Sequence, residues 1–103
     1  IFTPVRAGKL LKEIRSKTNI PIEAHEHNDF GMAVANSLEM ANLGAEYIDC
    51  TLFGIGERAG NCNLYDFVHA AEARFDMGID KRDIITAQEL FMELLHNDVR
   101  DLL

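Results

Sequence analysis

The sequence predicts an α/β fold with two parallel strands, and three observations carry that reading. Apolar stripes of helical period alternate with two short strand-like runs, in the order α-β-α-β-α-α. The segment between the two strands is long enough for a crossover helix, which makes the strands parallel and their connection right-handed. Two strands alone cannot form a parallel sheet covered on both faces. The chain therefore reads as part of a larger α/β domain.

Each element has its own local reason. Thr3-Pro4 has the form of an N-cap followed by proline at the first helical position. Ala7, Leu10, Leu11 and Ile14 then repeat at i, i+3, i+4 and i+7, and the helix should stop between Lys17 and Asn19. Ile20 to His25 reads as the first strand, with Pro21 near its start, where a missing N–H is tolerated. A second helix is expected from Gly31 or Met32 to Leu43, with Val34, Leu38 and Ala41 on one stripe and Gly44 as its left-handed cap. Tyr47 to Leu52 reads as the second strand, with Tyr47, Asp49 and Thr51 on one face. A third helix should run from about Asn63 to Phe75. Thr86-Ala87-Gln88-Glu89 matches a capping box, which places the start of the last helix there.

Composition narrows the class further. The chain has 103 residues, 48% of them hydrophobic, enough for one small core. No apolar run approaches the ~18 residues that span a bilayer. The net charge is −7 and uneven: Arg6, Lys9, Lys12, Arg15 and Lys17 face only Glu13 in the first 17 residues, leaving 5 basic against 16 acidic side chains beyond. Such an acidic chain is a poor nucleic-acid binder. Cys50 and Cys62 lack metal-type spacing and read as reduced thiols of a cytoplasmic protein. The opening Ile1-Phe2-Thr3-Pro4 has no methionine and no signal pattern, and reads as a cut inside a longer protein.

The chemistry concentrates at the strand ends. His25 and His27 stand at i and i+2, so in an extended strand both imidazoles face one side and can grip one divalent ion. Two ordinary histidines at a strand end remain the alternative. Asn61 could add a side-chain carbonyl if the strands are neighbours. Two neutral imidazoles and an amide carry no negative charge, so a hard ion would also want a carboxylate. Asp29 is near in sequence but lies in a turn, where it could instead cap a helix. Gly54-Ile55-Gly56-Glu57-Arg58-Ala59-Gly60 is neither a dinucleotide fingerprint nor a P-loop. It either holds backbone close to a ligand or forms a tight turn fixed by a Glu57–Arg58 pair. His69 and His96 lie in helix patterns without metal-type partners and read as surface or packing residues.

His25-Glu26-His27-Asn28-Asp29-Phe30-Gly31-Met32-Ala33-Val34-Ala35-Asn36 resembles the H-x-H-N-D-x-G-x-A-x-A-N signature of the DRE-TIM metallolyases. Gly44-Ala45 and then Thr51 to Asn61 resemble that family's second signature. The family includes 2-isopropylmalate, homocitrate and citramalate synthases and 3-hydroxy-3-methylglutaryl-CoA lyase. The G-x-G-E-R-A-G-N wording favours the synthases, because the lyase is expected to carry a cysteine within this loop and residues 54 to 60 contain none.

The resemblance implies a TIM (β/α)8 barrel of which this chain holds the last two parallel strands with their flanking helices. Residues 1–79 would be the C-terminal part of the catalytic barrel, and 80–103 a helical segment leading to a following subdomain. His25 and His27 would be metal ligands, Asn61 would lie in or beside the shell, and Glu57 would act from the active-site loop. The implied ion is Mg²⁺, Mn²⁺ or Zn²⁺. The implied reaction is a Claisen-type condensation of acetyl-CoA with a 2-oxo acid, in amino-acid biosynthesis, by a homodimeric parent. The alternatives are a lyase-type carbon–carbon cleavage, or a non-catalytic fragment with an incomplete site. The family's R-D-G type motif, which brings an aspartate ligand and an arginine, is not in this sequence, so the chain alone is expected to be inactive.

Overall fold

The computed structural model describes residues 2–102, with side chains as far as residue 98; Ile1 and Leu103, the latter in the expected 80–103 segment, lie outside the described residues. The elements are α1 (Pro4–Lys17), β1 (Glu23–His25), α2 (Ala33–Asn42), β2 (Tyr47–Asp49), α3 (Leu64–Ala71) and α4 (Lys81–Leu102), with a 3₁₀ turn at Leu52–Gly54 between β2 and α3. The strands β1 and β2 are adjacent and parallel, with Glu23 beside Tyr47, Ala24 beside Ile48 and His25 beside Asp49. This is the order and pairing expected from the crossover helix.

The caps explain several boundaries. The Thr3 hydroxyl accepts from Arg6 N at 3.4 Å, with Pro4 in the first turn of α1. At the end of α2, Gly44 N–H donates to the Ala41 carbonyl and Ala45 N–H to that of Met40, a closure that needs the φ of +103° glycine supplies. The Asn63 side chain caps α3 by accepting from Asp66 N at 3.1 Å.

Two cores lie against one face of the sheet. Ala7 and Leu11 of α1, Ala24 of β1 and Met40 of α2 form one. Ala33, Cys62, Phe67 and Ala71 form the other. Ile48 packs against both, so β2 is their seam. Gly8 lets α1 and α2 approach, since a Cβ there would stand 3.1 Å from Leu43 Cδ1. Ala24 is buried between two exposed neighbours, Glu23 and His25. The helices therefore cover one face of the strand, and His25 lies on the other.

Three expectations need correction. The strands are shorter than the apolar runs. Ile20 precedes β1 because its carbonyl accepts from Arg15 Nη1 at 2.7 Å, and Ile22 N–H goes to Glu46 Oε2. Glu46 is held below the usual carboxylate range by that N–H, with Arg15 adding to it. The end of β2 turns early because Phe53 has φ +59° and the Thr51 hydroxyl donates to the Ile55 carbonyl. The last helix begins at Lys81, not Thr86. Asp80 initiates it, accepting from Arg82 N at 2.9 Å, while Thr86 sits inside the helix and donates back to the Arg82 carbonyl. Likewise α3 ends at Ala71, before Phe75.

Candidate metal centre

The exit of β1 and the loop after β2 are stitched together residue by residue. His27 and Asn61 pair through a single antiparallel bridge, and Asn28 N–H donates to the Gly60 carbonyl at 2.9 Å. Thr51 bridges Asn63 in parallel. The loop from Leu52 to Gly60 thus leaves and returns at neighbouring points, and the return delivers Asn61 to the side of His27.

His25 and His27 come together as the i, i+2 spacing requires. Their ring centroids are 5.0 Å apart with planes at 87°. His25 Nδ1 lies 2.6 Å from Asp49 Oδ2, its register partner on β2. With Nδ1–H donating to that carboxylate, Nε2 keeps its lone pair, the arrangement by which second-shell carboxylates orient metal-binding imidazoles. Asp49 falls, by the alternation of β2, on one face with Tyr47 and Thr51. Its role was missed because pairing it with His25 requires the strand register, which neither strand announces alone.

Two buried atoms mark the spot. His27 Nδ1 and Asn61 Oδ1 are shut from solvent with no hydrogen-bond partner. A buried polar group left unsatisfied costs about 1–3 kcal/mol. The other end of the Asn61 amide donates to the Ile55 carbonyl at 3.2 Å, which fixes Oδ1 as the free acceptor. Gly56 makes room for this amide, and a Cβ there would overlap it.

The donor set of His25, His27 and Asn61 fits part of a divalent shell, with two imidazole nitrogens and one carbonyl oxygen. Among the described residues no cluster of three or more His, Cys, Asp or Glu side chains completes it. Asp29 does not, because its carboxylate receives Arg58 Nε and Nη2, each at 3.0 Å. That guanidinium holds Asp29 below the ordinary carboxylate range. The helix cap considered for Asp29 belongs instead to Asn28, whose Oδ1 accepts from Ala33 N at 3.1 Å. The Glu57–Arg58 pair considered for the loop is likewise replaced by Asp29–Arg58. Glu57 stays exposed on the loop, without an ion-pair partner among the described residues. Arg58 itself has φ +56°, uncommon for a residue with a side chain and held here by its bidentate pair.

A cleft of about 200 Å³ opens over this corner, lined by His25, His27, Asp29, Phe30 and Arg58 among others. Glu26 faces inward and is 6% exposed. Burial raises its carboxyl above the usual range, while Asn36 and then the two flanking histidines pull it back. His69 and His96 are both exposed, His69 accepting from Lys81 Nζ at 2.9 Å, away from the cleft.

Comparisons with known proteins fit this corner of the molecule. The chain is 47% identical over 87 residues to a 2-isopropylmalate synthase of Acetivibrio thermocellus, covering 76% of this chain and 17% of that protein. It is 50% identical over 68 residues to the homocitrate synthase subunit alpha of Clostridium pasteurianum, covering 66% of this chain and 25% of that protein. The chain therefore spans roughly a sixth to a quarter of the curated relatives it matches. In fold it superposes on an HMG-CoA lyase of Bacillus subtilis with TM-score 0.80 and 19% identity, over 92% of this chain and 35% of that one. It also superposes on an HMG-CoA lyase of Acinetobacter baumannii, solved with coenzyme A and 3-methylmalate, with TM-score 0.81 and 25% identity, over 92% and 34%. The fold is that of a piece of a TIM barrel carrying two of its parallel strands. The family model described as HMGL-like matches residues 1–91, and with the two signatures on the two strand exits this chain belongs to that family, the DRE-TIM metallolyases.

Proposed function

We propose that the protein to which these two barrel strands belong condenses acetyl-CoA with a 2-oxo acid in a metal-dependent, Claisen-type reaction. The observation that carries the reading is a pair of buried, unpartnered polar atoms, His27 Nδ1 and Asn61 Oδ1, on two residues bridged to each other at one end of the parallel sheet. Relatives named as synthases support it, as does a loop from Gly54 to Gly60 without cysteine.

In this reading His25, His27 and Asn61 hold Mg²⁺, Mn²⁺ or Zn²⁺, which would act as a Lewis acid on the keto carbonyl of the 2-oxo acid. Asp49 keeps His25 in the tautomer whose Nε2 is free to coordinate. Asp29 and Arg58 pin the loop to the β1 exit, so that Asn61 and Glu57 are held rather than found by chance. Glu57, an exposed carboxylate with no ion pair among the described residues, is the group we assign to handling the acetyl proton. The lost proton leaves an enolate carbon, which attacks the keto carbon, and water then hydrolyses the thioester. A further aspartate ligand and an arginine come from strands outside this chain. We also take the protein to be cytoplasmic and homodimeric. No described helix is long and apolar enough to cross a membrane.

The lyase reading draws on the superposition with HMG-CoA lyases. One experiment separates the two: the full-length protein with acetyl-CoA and a panel of 2-oxo acids, following release of free CoA thiol, beside cleavage of 3-hydroxy-3-methylglutaryl-CoA. Thiol release that needs both the 2-oxo acid and a divalent ion supports the synthase. Acyl-CoA cleavage without condensation overturns it. Glu57→Gln should lower the condensation rate while leaving Mn²⁺ affinity unchanged; an unaltered rate removes Glu57 from the chemistry.

A further inference from the structure

We propose that Cys50 and Cys62 form a dithiol that a hydroperoxide oxidises to a disulfide, fastening the base of the glycine-rich loop. These are the two cysteines of the chain, and both are free. Their sulfurs lie 3.7 Å apart. The backbone holds them there, because Thr51 N–H donates to the Cys62 carbonyl at 2.9 Å and Thr51 bridges Asn63 in parallel. The cysteines precede Thr51 and Asn63 and so stand in register. A disulfide needs the sulfurs at about 2.05 Å, an approach that side-chain rotation across neighbouring backbones can supply.

Access decides the oxidant. Cys62 is 0% exposed, and Cys50 is half-buried at the edge of an apolar groove shared with Ala41, Ile48, Phe67 and Phe75. Such an apolar entrance, with Glu46 and Asp76 also on its lining, favours a small, uncharged hydroperoxide over a large, anionic tripeptide disulfide. In the first step the hydroperoxide transfers its outer oxygen to one thiol, giving a sulfenic acid, and its O–O bond breaks to release water from hydrogen peroxide or the alcohol from an organic hydroperoxide. The second thiol then attacks that sulfur, the S–O bond breaks, and a water departs. Two electrons pass from the two sulfurs to the peroxide, and a dithiol reductant reverses the change.

The site lies where it matters for the loop. Thr51 follows Cys50, and Asn61 precedes Cys62. The bond would close residues 51–61 into a covalent ring containing the 3₁₀ turn, Glu57, Arg58 and Asn61. The proposal stands on the geometry of the two sulfurs and does not depend on the metal reading.

The test is peptide mapping without reductant of the full-length protein after a few equivalents of hydrogen peroxide, with circular dichroism to confirm that the fold persists. The expected product is a peptide pair joined through Cys50 and Cys62, lighter by two hydrogen atoms and released by dithiothreitol. Trypsin should cut after Arg58 several-fold more slowly in the oxidised protein, and Cys50→Ser should abolish both the link and the protection. Cys50 is the better position to vary because the fully buried Cys62 is the riskier one for folding. A folded protein that shows no such link, or that stops at sulfinic acid on either residue, overturns the proposal. Unchanged cleavage at Arg58 in the linked protein overturns the fastening of the loop.

Discussion

His27 is half-buried and carries a ring nitrogen that no group among the described residues satisfies. If it serves a cation, His27→Ala in the full-length protein should abolish Mn²⁺-dependent turnover and weaken Mn²⁺ binding measured by calorimetry, while the thermal melt stays near that of the parent. Lewis-acid stabilisation in the transition state is worth several kcal/mol, far above the ~0.5 kcal/mol typical of a surface substitution. Near-normal turnover and Mn²⁺ binding would remove His27 from the shell. Glu26, between the two histidines, makes the opposite kind of prediction. Its carboxyl is raised by burial, so the folded state holds its proton more tightly than the unfolded chain does. This contribution favours folding at low pH and fades as pH rises through the raised value. Glu26→Gln should flatten that part of the stability–pH curve above about pH 4.3, as read by denaturant midpoints; an unchanged slope would mean that the carboxyl is solvated. At this scale the sequence exposed residue types and their spacing. His25 and His27 were legible because i and i+2 share a face whatever the fold. Asp49 and the Asp29–Arg58 pair were not, because each needs contact between segments 24 and 29 positions apart.

Elements were legible where a local signal closes on itself. The N-cap of α1 and the glycine cap of α2 both involve residues within a few positions of one another. The start of α4 was misplaced because two caps compete there. Asp80 accepts from Arg82 N and pairs with its guanidinium, which holds the Asp80 carboxyl down at about 2. That charged cap wins, and the Thr86 capping box is absorbed into the helix. Asn63 is the cap that joins fold to site, since it ends the loop that delivers Asn61 and starts α3. Asn63→Ala should cost about 1 kcal/mol in a chemical melt; no loss would show that the Thr51 bridge alone holds this corner. Arg58→Lys should leave the melt unchanged and speed amide exchange across Glu57 to Gly60. Lysine keeps the charge but cannot fork across both Asp29 oxygens. Equal exchange rates would reduce the pair to a surface contact.

At the scale of the whole molecule, the two cores account for one face of the sheet, and much apolar surface is left outside them. Tyr47 on β2 is 61% exposed, Ile20 before β1 63% and Phe30 at the cleft 65%. On α4, Ile84 is buried and Phe91 rests on Phe53 at 6.2 Å between ring centroids, yet Leu90 and Leu94 remain 56% and 63% exposed. Among the described residues each strand also has one edge without a partner in the two-stranded sheet. Parallel sheets are stable when covered on both faces and extended on both sides, and unpaired edges invite association. The proposed metal shell has the same character: it would be furnished from one side, by neutral donors, and no carboxylate among the described residues completes the group that a hard cation requires. Fold and site are therefore incomplete in the same direction, toward the strands that a barrel would add next to β1 and β2. The expected outcome is that residues 1–103 alone melt broadly, self-associate in sedimentation and give no thiol release from acetyl-CoA with any 2-oxo acid. A chain extended to the length of its curated relatives should melt cooperatively and release thiol in the presence of a divalent ion. Residues 1–103 condensing acetyl-CoA by themselves would sink this argument, because the missing ligand would then have to come from within the two strands. An extended chain that folds cooperatively, binds Mn²⁺ and still releases no thiol would keep the barrel and overturn the synthase.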